Sequence, residues 1–225
     1  MTPRICVSII PKNNHEALTL IEQLEKANAD LIEIRLDCFE TSRNLTELAK
    51  STKIPLIATN KLLSEKGNFS GTETERQKTL LRAAKSGFEY VDVDLLSPKK
   101  EETIDKLKQI GAKPIVSYHK FDGTLSSSGM KNFLEQEIDS GASICKIVTT
   151  AKKIEDNLSV LNFASINCNT KLVVFCMGKY GKLSRLLSPL FGAFFTFASL
   201  GQGYETAPGQ MTIHEMKSFY DLLGA

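Results

Sequence analysis

Eight short runs rich in Val and Ile, alternating with stretches of helical spacing and broken by no linker, predict a (β/α)₈ TIM barrel in one domain over residues 1–225. The runs begin at positions 4, 31, 55, 90, 113, 143, 171 and 194. Strands that alternate with helices need crossover connections and therefore build a parallel sheet. Eight strand–helix units are the number that closes a barrel, whereas a doubly wound sheet more often has five or six strands. The 225 residues are 42% hydrophobic and 24% charged, an ordinary globular balance with enough chain for a sizeable core.

In chain order the elements read as follows. RICVSII (4–10) is the first strand, and HEALTLIEQLEKANA (15–29) follows with Leu18, Leu20, Ile21 and Leu24 on one helical face. LIEIRLD (31–37) and PLIATN (55–60) are the second and third strands. ETERQKTLLRAAKSG (73–87) is a helix closed by Gly87, and it leads into YVDVDLL (90–96). ETIDKLKQIGA (102–112) stops at Gly111 before the strand KPIVSYHK (113–120). SGMKNFLEQEIDSGA (128–142) stops at Gly141 before SICKIVTT (143–150). KLVVFCMG (171–178) and FFTFAS (194–199) complete the strands, and TIHEMKSFYDLLGA (212–225) is the last helix.

Charge and targeting signals exclude several classes of function. Lys plus Arg total 28 and Asp plus Glu 26, so the net charge of +2 gives no broad footprint for nucleic acid or an anionic membrane. An anionic ligand would have to be held by a local cluster. The N-terminal apolar run is too short for a signal peptide, and no run of 18 apolar residues is present to span a membrane. Cys6, Cys38, Cys145, Cys168 and Cys176 form no C-x-x-C pair and read as reduced, buried thiols of a cytoplasmic protein. The Asn-x-Ser/Thr triplets at Asn44, Asn68 and Asn157 are then chance matches. Three dispersed histidines give no metal-ligand spacing, with His15 and His214 in the first turns of surface helices.

A barrel places its chemistry at the C-terminal ends of the strands, so polar residues in or just after the apolar runs are the candidates. Lys146 lies among Ile144, Cys145, Ile147 and Val148. Pointing into the barrel mouth, it would be desolvated toward the neutral amine that forms a Schiff base with a ketone; pointing outward, it would snorkel. His119 ends the fifth strand as a proton shuttle or a hydrogen-bonded rim residue. Glu33, Arg35 and Asp37 alternate on one strand face, as do Asp92 and Asp94. Arg185 is either a solvated helix-start charge or a clamp for a carboxylate. GQGYETAPGQ (201–210) is a glycine-rich loop with Gln210 at its end, a mobile lid or an ordinary loop.

Together these residues resemble the type I 3-dehydroquinate dehydratases. The matching segments run in order along nearly the whole chain: VSI (7–9), EIRLD (33–37), SYHKF (117–121), KIVTTAK (146–152), GKLSRLLSPLFGAFFTFA (181–198) and TAPGQ (206–210). The resemblance implies a homodimeric (β/α)₈ barrel with no metal or nucleotide cofactor, acting on the small molecule 3-dehydroquinate in the shikimate pathway of aromatic amino acid biosynthesis. It implies that Lys146 forms the imine and His119 moves the protons, with Asp94 orienting His119. Arg185 would hold the substrate carboxylate. Ser8, Glu33, Arg35, Lys61, Thr206 and Gln210 would be further substrate contacts.

The match has departures. Lys61 stands where the family has an arginine, losing a bidentate fork. Asp94 stands for a Glu and Thr206 for a frequent Ser, and the Gly-Gly pair after strand three is loosened to NFSG (68–71). Two other readings compete: a class I aldolase-like Schiff-base barrel, with a phosphate cradle after strands seven and eight, and a non-catalytic barrel that binds a cyclic acid.

Overall fold

The structure, a computed structural model, describes every residue except Met1, Ser42 and Cys168. Eight parallel strands form one sheet: β1 (Ile5–Ile9), β2 (Leu31–Arg35), β3 (Leu56–Thr59), β4 (Tyr90–Asp94), β5 (Lys113–His119), β6 (Ile144–Thr150), β7 (Leu172–Met177) and β8 (Thr196–Ala198). Sequential strands are neighbours from β1 to β7, and β8 pairs with β1, as with Cys6 opposite Phe197. The ring closes toward β7 where the Phe194 N–H donates to the Leu172 carbonyl at 2.7 Å. The fold is the (β/α)₈ barrel that the alternation of runs predicts.

Helices α1 (Asn14–Lys26), α2 (Leu45–Lys50), α3 (Glu73–Ser86), α4 (Lys100–Ile110), α5 (Ser127–Asp139), α6 (Asp156–Ile166), α7 (Lys182–Leu187) and α8 (Ile213–Leu223) cover the outside. Thr72 and Thr212 start α3 and α8 with capping boxes, each accepting from the N–H three residues on while a Glu returns the bond. Gly87 and Gly111 end α3 and α4 with left-handed φ of 110° and 91°. Asn44 is the N-cap of α2, and Asn157 is buried with its amide donating to the Ile154 and Tyr180 carbonyls.

Period-two alternation sorts each strand into an outer and an inner row. Outward residues such as Val7, Ile9, Ile32, Ile34, Val91 and Val93 meet the helices. Inward residues Leu31, Ile57, Tyr90, Ile115, Ile144, Val173 and Phe195 fill the lower barrel as an apolar plug. Above that plug the inner row turns polar. Cys6, Cys145 and Cys176 are free and buried; Cys38 is only half-buried because it sits on a turn past β2; Cys168 lies outside the described residues. Among the described residues no helix is long and apolar enough to cross a membrane.

Candidate active site

The floor of the barrel mouth is a chain of buried ions. Lys146 Nζ, from β6, donates to Asp92 Oδ2 at 3.1 Å, lies 3.6 Å from Glu33 Oε1 and stands 4.5 Å over the Phe197 ring. Asp92 Oδ1 lies 2.9 Å from Lys61 Nζ, which also donates to Asp94 and, at 3.0 Å, to Ser117 Oγ. Arg76 reaches in from α3 and binds Asp94 Oδ2 at 3.2 Å. Glu33 accepts from Ser8 Oγ on one side and from Thr59 Oγ1, at 2.8 Å, on the other. Burial works against the charges of Lys61 and Asp92, but their partners outweigh it. Asp92 and Asp94 raise Lys61, and Lys146 and Lys61 hold Asp92 well below the usual carboxylate range.

Lys61 thus shares its three N–H donors among Asp92, Asp94 and Ser117, without the planar fork an arginine would bring. Its loop is held by a close approach: a Cβ on Gly67 would sit 2.1 Å from the Lys61 carbonyl oxygen. The glycine that turn requires is at 67, one residue before NFSG.

A small cleft opens above this floor. Glu33, Arg35, Lys61, His119, Lys146, Arg185, Thr206 and Gln210 all line it. Ser8 and Asp94 lie beneath it, bonded to Glu33 and to Lys61 and Arg76 respectively. Arg185 is the unusual wall. It is 1% exposed, its guanidinium lies 4.3 Å over the Phe175 ring, and its polar contacts are one 3.4 Å bond to the Phe197 carbonyl and an Nε without a partner. Burial lowers its pKa to about 9. No carboxylate faces it among the described residues, so its buried charge has no counter-ion from the chain. The solvated helix-start alternative fails, because α7 turns this side chain inward.

His119 is half-buried at the end of β5, and burial followed by the charges of Lys61 and Lys146 pushes its pKa well below the usual imidazole value. A ring nitrogen of His119 and carboxylate oxygens of Glu65 and Asp94 lie within 4.8 Å of one another. Asp94, expected to orient His119, has its hydrogen bonds on Lys61 and Arg76 instead. Glu65, in the turn after β3, is the carboxylate left beside the imidazole, and burial raises its pKa. These three groups could take up a cation only in competition with Lys61 and Arg76 for Asp94.

The remaining polar residues are braced by their own neighbours. β2 stops at Arg35, so Asp37 is not on the strand face with Glu33 and Arg35; it lies in a 3₁₀ turn over 36–38 and binds Arg35 at 2.9 and 2.6 Å. The loop after β8 closes on itself, with Gln210 Oε1 accepting from the Thr206 and Ala207 N–H groups at 2.6 and 3.3 Å. It docks on the loop after β7, where the Gly178 N–H donates to the Pro208 carbonyl at 2.9 Å. Gly209 lies so close that a Cβ there would be 2.3 Å from the Gly178 oxygen.

A profile of the type I 3-dehydroquinase family matches residues 5–225. The chain belongs to the type I 3-dehydroquinase family. A 3-dehydroquinate dehydratase of Dehalococcoides mccartyi is 37% identical over 218 residues, 97% of this chain and 95% of that one. One from Methanothermobacter thermautotrophicus is 35% identical over 215 residues, 95% of this chain and 94% of that one. Among solved structures, the 3-dehydroquinate dehydratase of Geobacillus kaustophilus superposes with a TM-score of 0.90 at 25% identity, covering 100% of this chain and 92% of that one. A type I enzyme of Clostridium difficile carrying covalently modified comenic acid gives 0.89 at 26% identity, covering 98% and 92%.

Within this type I 3-dehydroquinase, three residues around the site carry no signal in the sequence, and the partner of a fourth, Asp92, is not legible there. Asp92 was visible as the alternate partner of Asp94, but nothing in VDVD says that it is the counter-ion of Lys146. Phe197 reads as an ordinary inward aromatic. Glu65 lies in an aperiodic turn and Arg76 on a helix, so neither carries a strand-end signal.

Proposed function

We propose that this chain dehydrates 3-dehydroquinate to 3-dehydroshikimate through a Schiff base on Lys146, as a cytoplasmic homodimer in the shikimate pathway. The observation that carries the reading is one cleft with a lysine ammonium at its floor and an uncompensated buried guanidinium, Arg185, in its wall. That pairing suits a small keto acid. The carboxylate would meet Arg185, and the ketone would lie over Lys146, with Gln210 and Arg35 at its hydroxyls.

Lys146 gives up a proton to water or to His119, its free amine attacks the carbonyl carbon, and the same proton returns to the carbinolamine oxygen, which leaves as water; this gives the iminium and leaves His119 neutral. The iminium draws electrons from the α carbon, whose proton passes to His119. The resulting enamine pushes out the β-hydroxyl, which leaves as water with the proton that His119 returns. Hydrolysis of the conjugated iminium consumes one water and frees Lys146, so the net change is loss of one water. One base serving both proton transfers suits a syn elimination. A neutral imidazole at neutral pH, which burial favours here, is the form that must act first. Leu158 and Ile166 on α6, Leu183 on α7 and Phe191 beyond it are exposed apolar side chains that a partner subunit would cover.

Ultraviolet absorbance of the conjugated enone, followed after mixing with 3-dehydroquinate, tests the function. A chain that binds the substrate with no absorbance rise would support the non-catalytic reading, and retro-aldol cleavage would support the aldolase-like one. The carboxylates should separate. Glu65→Gln is expected to lower kcat about tenfold, less than the roughly 10²- to 10⁴-fold of direct acid–base assistance because it acts through His119, with Tm little changed. Asp94→Asn should lower Tm, since breaking a buried pair costs about 3–5 kcal/mol. A Glu65→Gln enzyme with full activity would show that this carboxylate takes no part.

A further inference from the structure

One buried acid is used neither by the floor nor by the cleft. Met130, Leu134 and Glu137 lie at i, i+4 and i+7 on the buried face of α5. The first two join the apolar layer between α5, β6 and α6, with Cys145 and Ile147. The helical pattern asks for a third apolar residue at 137, yet a carboxyl stands there, 0% exposed. Its Oε2 accepts the backbone N–H of Lys146 at 3.0 Å, and its Oε1 has no partner.

The strand explains why an acceptor is needed there. The Ser143 N–H donates to the Pro114 carbonyl on the β5 side, whereas the Cys145 N–H, two residues on, donates to the Lys171 carbonyl on the β7 side, both at 2.9 Å. In a regular strand, residues two apart face the same neighbour. The change of side falls at the entry to β6, because Ser143 precedes the strand, and from there the pairing of residues 144–148 with β5 and of 145–150 with β7 is unbroken. Glu137 takes the Lys146 amide just past that entry.

We propose that Glu137 is a positioning residue, holding the Lys146 amide from behind, just past the entry to β6, so that Lys146 Nζ is aimed at the carbonyl carbon. The inference rests on the Schiff-base reading of Lys146. Burial, with Asp92 adding to it, pushes the Glu137 carboxyl well above its usual value. A neutral acid can brace the amide without competing with Asp92 for the Lys146 ammonium. The Cys145 thiol beside it is likewise held protonated, by burial and then by Glu137.

The test compares Glu137→Met, Glu137→Asp, Glu137→Gln and Leu134→Ala by kcat and KM with 3-dehydroquinate, borohydride trapping followed by intact mass, and Tm. Glu137→Met fills the space without an acceptor, and Glu137→Asp, the variant to use where Met prevents folding, withdraws the acceptor by one methylene. Each should lower kcat and the trapping rate together, about 10- to 100-fold for a nucleophile misplaced by roughly 1 Å, with KM changed less than about threefold. Glu137→Gln keeps an acceptor and should restore both rates to within about threefold of wild type. Leu134→Ala, a cavity on the same helix face, should lower Tm but not kcat. Wild-type trapping rates in both Met and Asp variants, or a Leu134→Ala enzyme that loses kcat in step with Tm, would overturn the proposal. A Gln variant as slow as Met would overturn it too. Wild-type enzyme that turns over without trapping on Lys146 would bring down the Schiff-base reading, and the positioning role with it, so the two failures are told apart.

Discussion

Lys146→Ala is expected to lose turnover and covalent adduct together. Removing a nucleophile that works as a unit with its base costs on the order of 10⁵-fold or more in kcat. With wild-type enzyme, borohydride added in the presence of 3-dehydroquinate should inactivate it and add ligand mass to the peptide holding Lys146. The variant should gain no mass, yet it should still bind the substrate, because Arg185 and Gln210 remain in the cleft wall. Binding measured by calorimetry also answers the concern that the site collapses when an ammonium is taken from the floor. Asp92 keeps Lys61, and Glu33 keeps Ser8 and Thr59, so the geometry has support on both sides of the gap. Mass found on Lys179 or Lys61 in the wild type would overturn the assignment. Lys61 is the sharper competitor, since it lines the same cleft, but its Nζ is already committed to Asp92, Asp94 and Ser117.

The strands were legible because a barrel's chemistry of burial is written in period two. Apolar residues alternate with Ser8, Glu33, Asp92 and Lys146, and that alternation states which row faces inward. Helices α1, α3, α4, α5 and α8 were legible from their one-sided apolar faces. α2 and α7 are six residues each, too short to show a period. α6 carries apolar residues on both faces, with Leu158 and Ile166 exposed opposite Val160 and Phe163, so it has no amphipathic signature. In the site, what failed was direction. Arg185 reads equally well as solvated or as buried until α7 is seen to turn it inward. Asp37 reads as a strand residue because nothing in LIEIRLD announces that the strand ends at Arg35. Glu65 and Glu137 reach the site from a turn and from a helix, and their contacts join residues 54 and 9 positions away, His119 and Lys146, that only the fold brings together.

His119→Ala is expected to separate proton transfer from covalent chemistry. General acid–base assistance is worth roughly 10²- to 10⁴-fold, so kcat should fall by at least that order. Lys146 remains, hydrogen-bonded to Asp92 at 3.1 Å, and can lose its proton to water, so the imine should still form. The variant should then accumulate a covalent adduct, visible by intact mass with or without borohydride, where the wild type passes through it quickly. The pH profile supplies an independent reading. The free imidazole value is about 6.5, and in the folded chain burial and the charges of Lys61 and Lys146 lower it. A depressed value keeps the ring in its neutral, proton-accepting form as the solution turns acidic. The acid limb of kcat/KM should therefore lie below pH 6.5, and it should disappear from the residual activity of His119→Ala. The same group makes folding less favourable as pH falls below about 6.5, because the unfolded chain binds a proton there that the folded chain does not. His119→Ala should flatten that part of the Tm profile. Wild-type turnover in the variant would mean that another group is the base, with Glu65 the nearest carboxylate to examine. An inactive variant that never traps would mean that His119 is also needed to form the imine, and the division of labour between β5 and β6 would fall.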